Sequence, residues 1–160
     1  MKKSTIILIL LVFASCNTTK KATNQPSIAK EGIQKLAITD VNAKNKMRAY
    51  DLGKRILMTC NTSKFQPFTP EEATQSVINN ITLEKLSATC NRYRQFYGDF
   101  KDLELTEIYK DDADTTTIFR YKALYTKEVA NKELRVYMNS DNKVSGIKSM
   151  DWEPNFERKK

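Results

Sequence analysis

The chain has 160 residues, with 27 lysines and arginines against 19 acids, a formal charge of +8 and no histidine. That length holds one domain with a real core. Without histidine it lacks the commonest general base and metal ligand, so neither a metal nor a cofactor is expected.

The basic residues gather toward the ends: Lys20, Lys21 and Lys30 early, then Arg158, Lys159 and Lys160. Such ends suit nucleic acid or anionic lipid. What precedes Cys16 favours lipid, and no nucleic-acid partner is expected. Lys2 and Lys3 form a positive start, followed by an unbroken apolar run, Ile6–Phe13. The run is too short for a bilayer core of about 30 Å, which takes roughly 20 apolar residues. It fits the apolar region of a secretory peptide.

Ala14 and Ser15 are small, and Cys16 follows. This ending resembles the bacterial lipobox, with Phe13 where that motif usually has leucine. The resemblance implies a signal peptide over 1–15, cut before Cys16, and acylation of the cysteine. One acyl chain binds a membrane marginally and two or more hold it stably. Asn17 is not the aspartate associated with inner-membrane retention in Gram-negative lipoproteins. Asn17–Lys21 also lacks the acids that send some lineages' lipoproteins to the cell surface. The resemblance therefore implies a lipid-anchored protein of the cell envelope, on the periplasmic face of the outer membrane.

Residues 16–41 read as the acylated cysteine and a flexible tether. Asn17–Ser27 is polar, holds Pro26 and has no period, while Ile28–Ile38 fits either a short helix or an extended arm. The folded domain is expected over 42–152, with a polar tail over 153–160.

Asn42–Asn61 carries Ala49, Leu52, Ile56 and Cys60 on one helical face, with Tyr50 and Leu57 beside it. Gly53 lies on that face too and disfavours the helix by up to ~1 kcal/mol relative to alanine. A close helix–sheet approach would account for it. Thr69-Pro70-Glu71-Glu72 has the form of a capping box and predicts a helix to about Asn79, with Ala73, Val77 and Ile78 inward. Thr82 caps a third helix bearing Leu83, Leu86, Cys90, Tyr93 and Tyr97 at three-four spacing, ended by Gly98. Cys60 and Cys90 both sit on apolar faces. In an exported chain they form either a disulfide or two buried thiols acting as small hydrophobes.

Four strands follow. The first, about Lys101–Lys110, puts Leu103, Leu105 and Tyr109 on one side. Asp111-Asp112-Ala113-Asp114 reads as a solvated turn, because a calcium loop needs more oxygens, a bend glycine and a distal glutamate. Asp114-Thr115-Thr116 resembles the short motif O-glycosylated on exported proteins of some Gram-negative lineages, with Thr115 as acceptor. Thr117–Tyr125 alternates Phe119, Tyr121, Ala123 and Tyr125 with Ile118, Arg120, Lys122 and Leu124, so one face is buried. Lys132–Asn139 turns Leu134, Val136 and Met138 inward and Glu133, Arg135 and Tyr137 outward. The last strand, about Val144–Trp152, breaks alternation near Gly146 and Ile147, which predicts a bulge there.

Helices followed by an antiparallel meander make an α+β domain. Tyr97-Gly98-Asp99-Phe100, Arg120-Tyr121-Lys122 and Asp141–Ile147 together resemble the nuclear-transport-factor-2-like (cystatin-like) cone fold. The resemblance implies a curled four-stranded sheet that can enclose a pocket. Tyr93, Tyr109, Phe119, Tyr121 and Tyr125 either line that pocket or fill the core.

Two functions stay open. One is a non-catalytic lipid-anchored envelope protein whose domain meets another envelope protein, through Arg120, Lys122, Arg135 and Tyr137. The other is a binder of a small hydrophobic ligand, or a pocket enzyme of the cone type.

Overall fold

The computed structural model describes residues 32–127 and 132–158. Its elements are β1 (Ile33–Leu36), α1 (Ala43–Thr62), α2 (Gln75–Asn80), α3 (Leu83–Tyr97), β2 (Phe100–Asp111), β3 (Thr116–Tyr125), β4 (Lys132–Met138) and β5 (Val144–Asp151), with a 3-10 turn at Ile38–Asp40. The class is α+β, but the sheet has five strands, in the order β1-β2-β3-β4-β5, all antiparallel.

This corrects the cone. The sheet is open and does not curl or close, and β1 and β5 are its two edges. The resemblance rested on hairpin and turn residues, which serve any meander. The added strand, Ile33-Gln34-Lys35-Leu36, precedes the helices and pairs with the far end of β2, Ile33 opposite Asp111 and Leu36 opposite Ile108. The ordered domain thus starts before Asn42, inside the span expected as tether. The undecided arm is extended at Ile33–Leu36.

Side-chain chemistry sets the helix ends. Asn42 caps α1, its side-chain oxygen accepting from Lys44 N at 2.8 Å. Ser63 closes α1 in the left-handed region, and Gly98 closes α3 at φ +77°. The helix expected from Thr69 begins only at Gln75. The capping box does form, because Glu72 Oε2 accepts from Thr69 N at 3.0 Å. After that single turn, Glu72 O accepts from Val144 N, and Val144 O from Thr74 N. Pairing with the start of β5 takes the groups a continuing helix needs, and tertiary contact overrides the local signal.

One face of the sheet packs on the helices. Ala49, Leu52 and Ile56 of α1 meet Phe119, Tyr121, Leu134 and Val136 in the main core. Gly53 permits that approach: a Cβ there would lie 2.9 Å from Leu134 Cδ2 and from Val136 Cγ2.

The sheet has three register shifts, one between Phe100 and Asp102 at the start of β2, and two that bear on the expected alternation. The β2–β3 register shifts between Leu105 and Glu107. The extra residue, Thr106, donates its hydroxyl to Arg120 O at 3.0 Å. Leu103 and Leu105 therefore face the helices with Ile108, while Tyr109 swings to the other side, against the expected alternation. The second shift, where Tyr137 pairs Gly146 and Met138 pairs Val144, leaves Ser145 as the extra residue, one place before the predicted glycine.

Candidate functional site

Cys16 and the whole address lie outside the described residues. Cys60 of α1 and Cys90 of α3 form a disulfide, with Cα atoms 4.7 Å apart. Cys90 is the buried residue of α3. The helix is therefore fixed to α1 by a covalent bond more than by a broad apolar seam.

The five aromatic candidates do not line one cavity. Phe119 and Tyr121 are buried in the main core, and Tyr121 leans toward Tyr50. Tyr125 belongs to an aromatic group with Tyr93, Tyr97 and Phe100. Lys132 Nζ lies 4.8 Å from the Tyr97 ring centre and 2.6 Å from Asp151 Oδ1. Tyr109 is on the opposite sheet face. Tyr93 borders a cavity beside α3.

That cavity, about 490 Å³, lies between α3 and the β4–β5 end of the sheet. Ile56, Leu57, Ile81 and Leu86 form its walls, and Leu134 and Ile147 its floor. Tyr93 and Ser149 close one side, 3.1 Å apart from Oη to Oγ. Arg92 and Thr89, both exposed, stand at its border. A second cleft of about 380 Å³, beside the first half of α1, holds Lys44, Met47, Arg48, Asp51, Arg55 and Glu72. Two of its cations are already engaged. Arg48 donates to the carbonyls of Asn142 and Glu71, and Arg55 binds Glu72 with both terminal nitrogens.

The other sheet face corrects the expected contact surface. Arg120 and Arg135 are buried, at 0% and 1% exposure. Glu133, also at 0%, bridges them: Arg120 Nη2 donates to its Oε2 at 2.6 Å and Arg135 Nε to its Oε1. Arg120 Nη1 reaches Glu107 Oε2 at 2.6 Å, and Glu107 also takes Lys35. Burial by itself raises the Glu107 carboxyl, but hydrogen bonds from Lys35 and Arg120 outweigh it and hold the group below the usual carboxylate range.

The cover over these charges is the segment after β5. Trp152 lies 4.1 Å from the Arg120 guanidinium, and Phe156 stacks on Tyr109 at 3.9 Å and on Arg135 at 4.3 Å. The carbonyls of Glu153 and Glu157 accept from Arg120 and Arg135. Arg158 pairs with Asp111, which is buried and so not part of a solvated turn. The polar tail is a strap. Its charge hid that from a reading by hydropathy, and the signal was two aromatics, Trp152 and Phe156, inside a charged run.

Among the described residues no group of three or more potential metal ligands comes together. Thr115 is exposed at the β2–β3 turn, at φ +56°, with its carbonyl held by Lys110 Nζ. Lys54 of α1 pairs with Asp102 of β2 at 3.0 Å. Tyr50 Oη donates to the same carboxylate at 2.5 Å, which holds it below its ordinary range. No helix among the described residues is long and apolar enough to cross a membrane. No protein-family model, curated protein or solved structure matches the chain, so the functional reading rests on its own residues.

Proposed function

We propose that the chain is a non-catalytic, lipid-anchored protein of the cell envelope. Its folded domain stands off the outer membrane on the periplasmic side and meets another envelope protein. The observation that carries this is the address: two lysines, eight apolar residues from Ile6 to Phe13, two small residues and Cys16. The Cys60–Cys90 disulfide supports it, because such bonds persist in oxidising compartments outside the cytosol.

With Arg120 and Arg135 under the strap, the surface we propose for the partner is on the helices, where Met47 of α1 and Leu83 and Phe96 of α3 are large, apolar and exposed. The test is chemical cross-linking in intact cells followed by purification from membranes. A stoichiometric envelope partner that is lost with Phe96→Glu and kept with Lys122→Glu supports the reading. Absence of any cross-linked partner, with the protein present at normal abundance, contradicts it.

A further inference from the structure

We infer that the cavity between α3 and the sheet is a binding site for a single-chain amphiphile with an anionic head. The first ground is that the space is held open. Protein interiors pack as densely as organic crystals, so a helix over an apolar floor ordinarily settles until a gap this size is gone. Here two contacts fix the height of α3. Cys90 is bonded to Cys60, which sets the helix against α1 and not against the sheet. One turn on, Tyr93 rests its hydroxyl on Ser149 of β5. Between these supports a groove remains over half-buried Ile147, with buried Leu134 beneath it.

The second ground is the distribution of chemistry. The lining is mostly aliphatic, with Ile81, Leu86 and Ile147 still partly exposed over buried Ile56, Leu57 and Leu134, and covering those groups with a methylene chain is worth about 0.8 kcal/mol per buried CH₂. Its volume, about 490 Å³, lies in the range of small-molecule sites. At the border stands Arg92, exposed and with no carboxylate partner among the described residues. A cation at the mouth of an apolar slot attracts an anionic head and repels a cationic one, and a guanidinium binds a carboxylate or a phosphate through paired N–H groups. A purely polar ligand gains nothing from the aliphatic walls. The head group is the carboxylate of a free fatty acid or the phosphodiester of a lysophospholipid, and each places one negative charge at the end of a single alkyl chain. This inference is independent of the protein partner proposed above: it concerns a cavity, and that reading an exposed helix surface.

The test uses the full chain carrying Cys16→Ser, titrated calorimetrically with probes kept below their micelle concentrations. The probes are laurate, decanoate, dodecanol, dodecyltrimethylammonium and lysophosphatidylglycerol. Laurate is expected to bind saturably at one site, and decanoate roughly tenfold more weakly for its two missing methylenes. Dodecanol and the cationic probe are expected to bind roughly three- to tenfold more weakly than laurate, and Arg92→Ala is expected to erase that difference. Ile147→Trp fills the floor and is expected to abolish binding, with the circular-dichroism spectrum and melting temperature showing that the fold is kept. If that variant does not fold, Leu86→Trp asks the same question from the wall. Replacing Cys60 and Cys90 by serine frees the helix and is expected to weaken laurate. Tighter binding of lysophosphatidylglycerol than of laurate identifies membrane lipid as the source, and the reverse identifies free fatty acid; either supports the site. Absence of saturable binding, binding indifferent to cavity-filling, or dodecanol as tight as laurate overturns the inference.

Discussion

Glu133 is the residue whose loss the domain should feel most. Its carboxylate is fully buried between two guanidiniums that are themselves at 0% and 1% exposure. Glu133→Gln keeps the size and one acceptor but removes the charge. Arg120 then keeps Glu107 and the Glu153 carbonyl, while Arg135 keeps the Glu157 carbonyl, the face of Phe156 and its neighbour Tyr137 but no carboxylate. Breaking a buried ion pair on one side typically costs about 3–5 kcal/mol, because the remaining charge is desolvated and uncompensated. Whole domains are stable by only about 5–15 kcal/mol. At a urea slope of roughly 2 kcal/mol/M, a loss of about 4 kcal/mol lowers the unfolding midpoint by about 2 M. The contrast is Lys35→Gln at the edge of the same network. Lys35 is 57% exposed, and the change should cost under about 1 kcal/mol. The combined replacement Arg120→Met, Glu133→Leu and Arg135→Met should recover most of the loss, since well-packed apolar groups substitute for buried ion clusters at little cost. A Glu133→Gln midpoint within about 0.5 M of the parent would falsify this account of the strapped face.

Three further outcomes follow from the same contacts. Replacing Cys60 and Cys90 by serine opens a 30-residue loop, and the chain-entropy relation gives a loss of roughly 3–4 kcal/mol; a melting temperature unchanged in reductant contradicts it. Phe156→Ala uncovers Tyr109 and Arg135 and should cost about 2 kcal/mol, with proteolysis then beginning in the residues after Asp151; cleavage unaltered in rate and place argues against a strap. Glu72 is held below its ordinary range by Arg55, Asp102 by Tyr50, and Glu107 by Lys35 and Arg120 against the raising effect of burial. Depressed carboxylates stabilise the fold above the unfolded range, near pH 4, and that stability disappears as pH falls through the folded values. The urea midpoint should therefore stay level from about pH 7 to about pH 5 and drop between about pH 4 and pH 3, and a level midpoint at about pH 3 refutes it.

The parts legible in the sequence were those with a sustained period or a strong local stop. The apolar stripe of α1, the alternation of β3 and β4, Thr82 and Gly98 all declared themselves, and Gly53 marked the close packing later seen against Leu134 and Val136. What stayed hidden was decided at a distance. Ile33–Leu36 is four residues without alternation, and it is a strand because β2 offers it a free edge. Thr106 carries no bulge signature of its own, yet it turns Tyr109 onto the other face and so removes it from the expected pocket. The capping box at Thr69 is intact but serves one turn, since β5 pairs with the backbone that follows. Alternation set Arg120 and Arg135 outward from the helices, correctly, but outward here is under the strap.

The central claim is that the domain hangs from a membrane by covalent lipid at one sulfur. Intact mass of the protein extracted from its native membranes tests it most directly. The account predicts a chain beginning at Cys16, heavier than its sequence by acyl groups, and a Cys16→Ser form that is unacylated and leaves the membrane fraction. A native chain that begins at another residue, or that carries no added mass and fractionates with soluble protein, contradicts it.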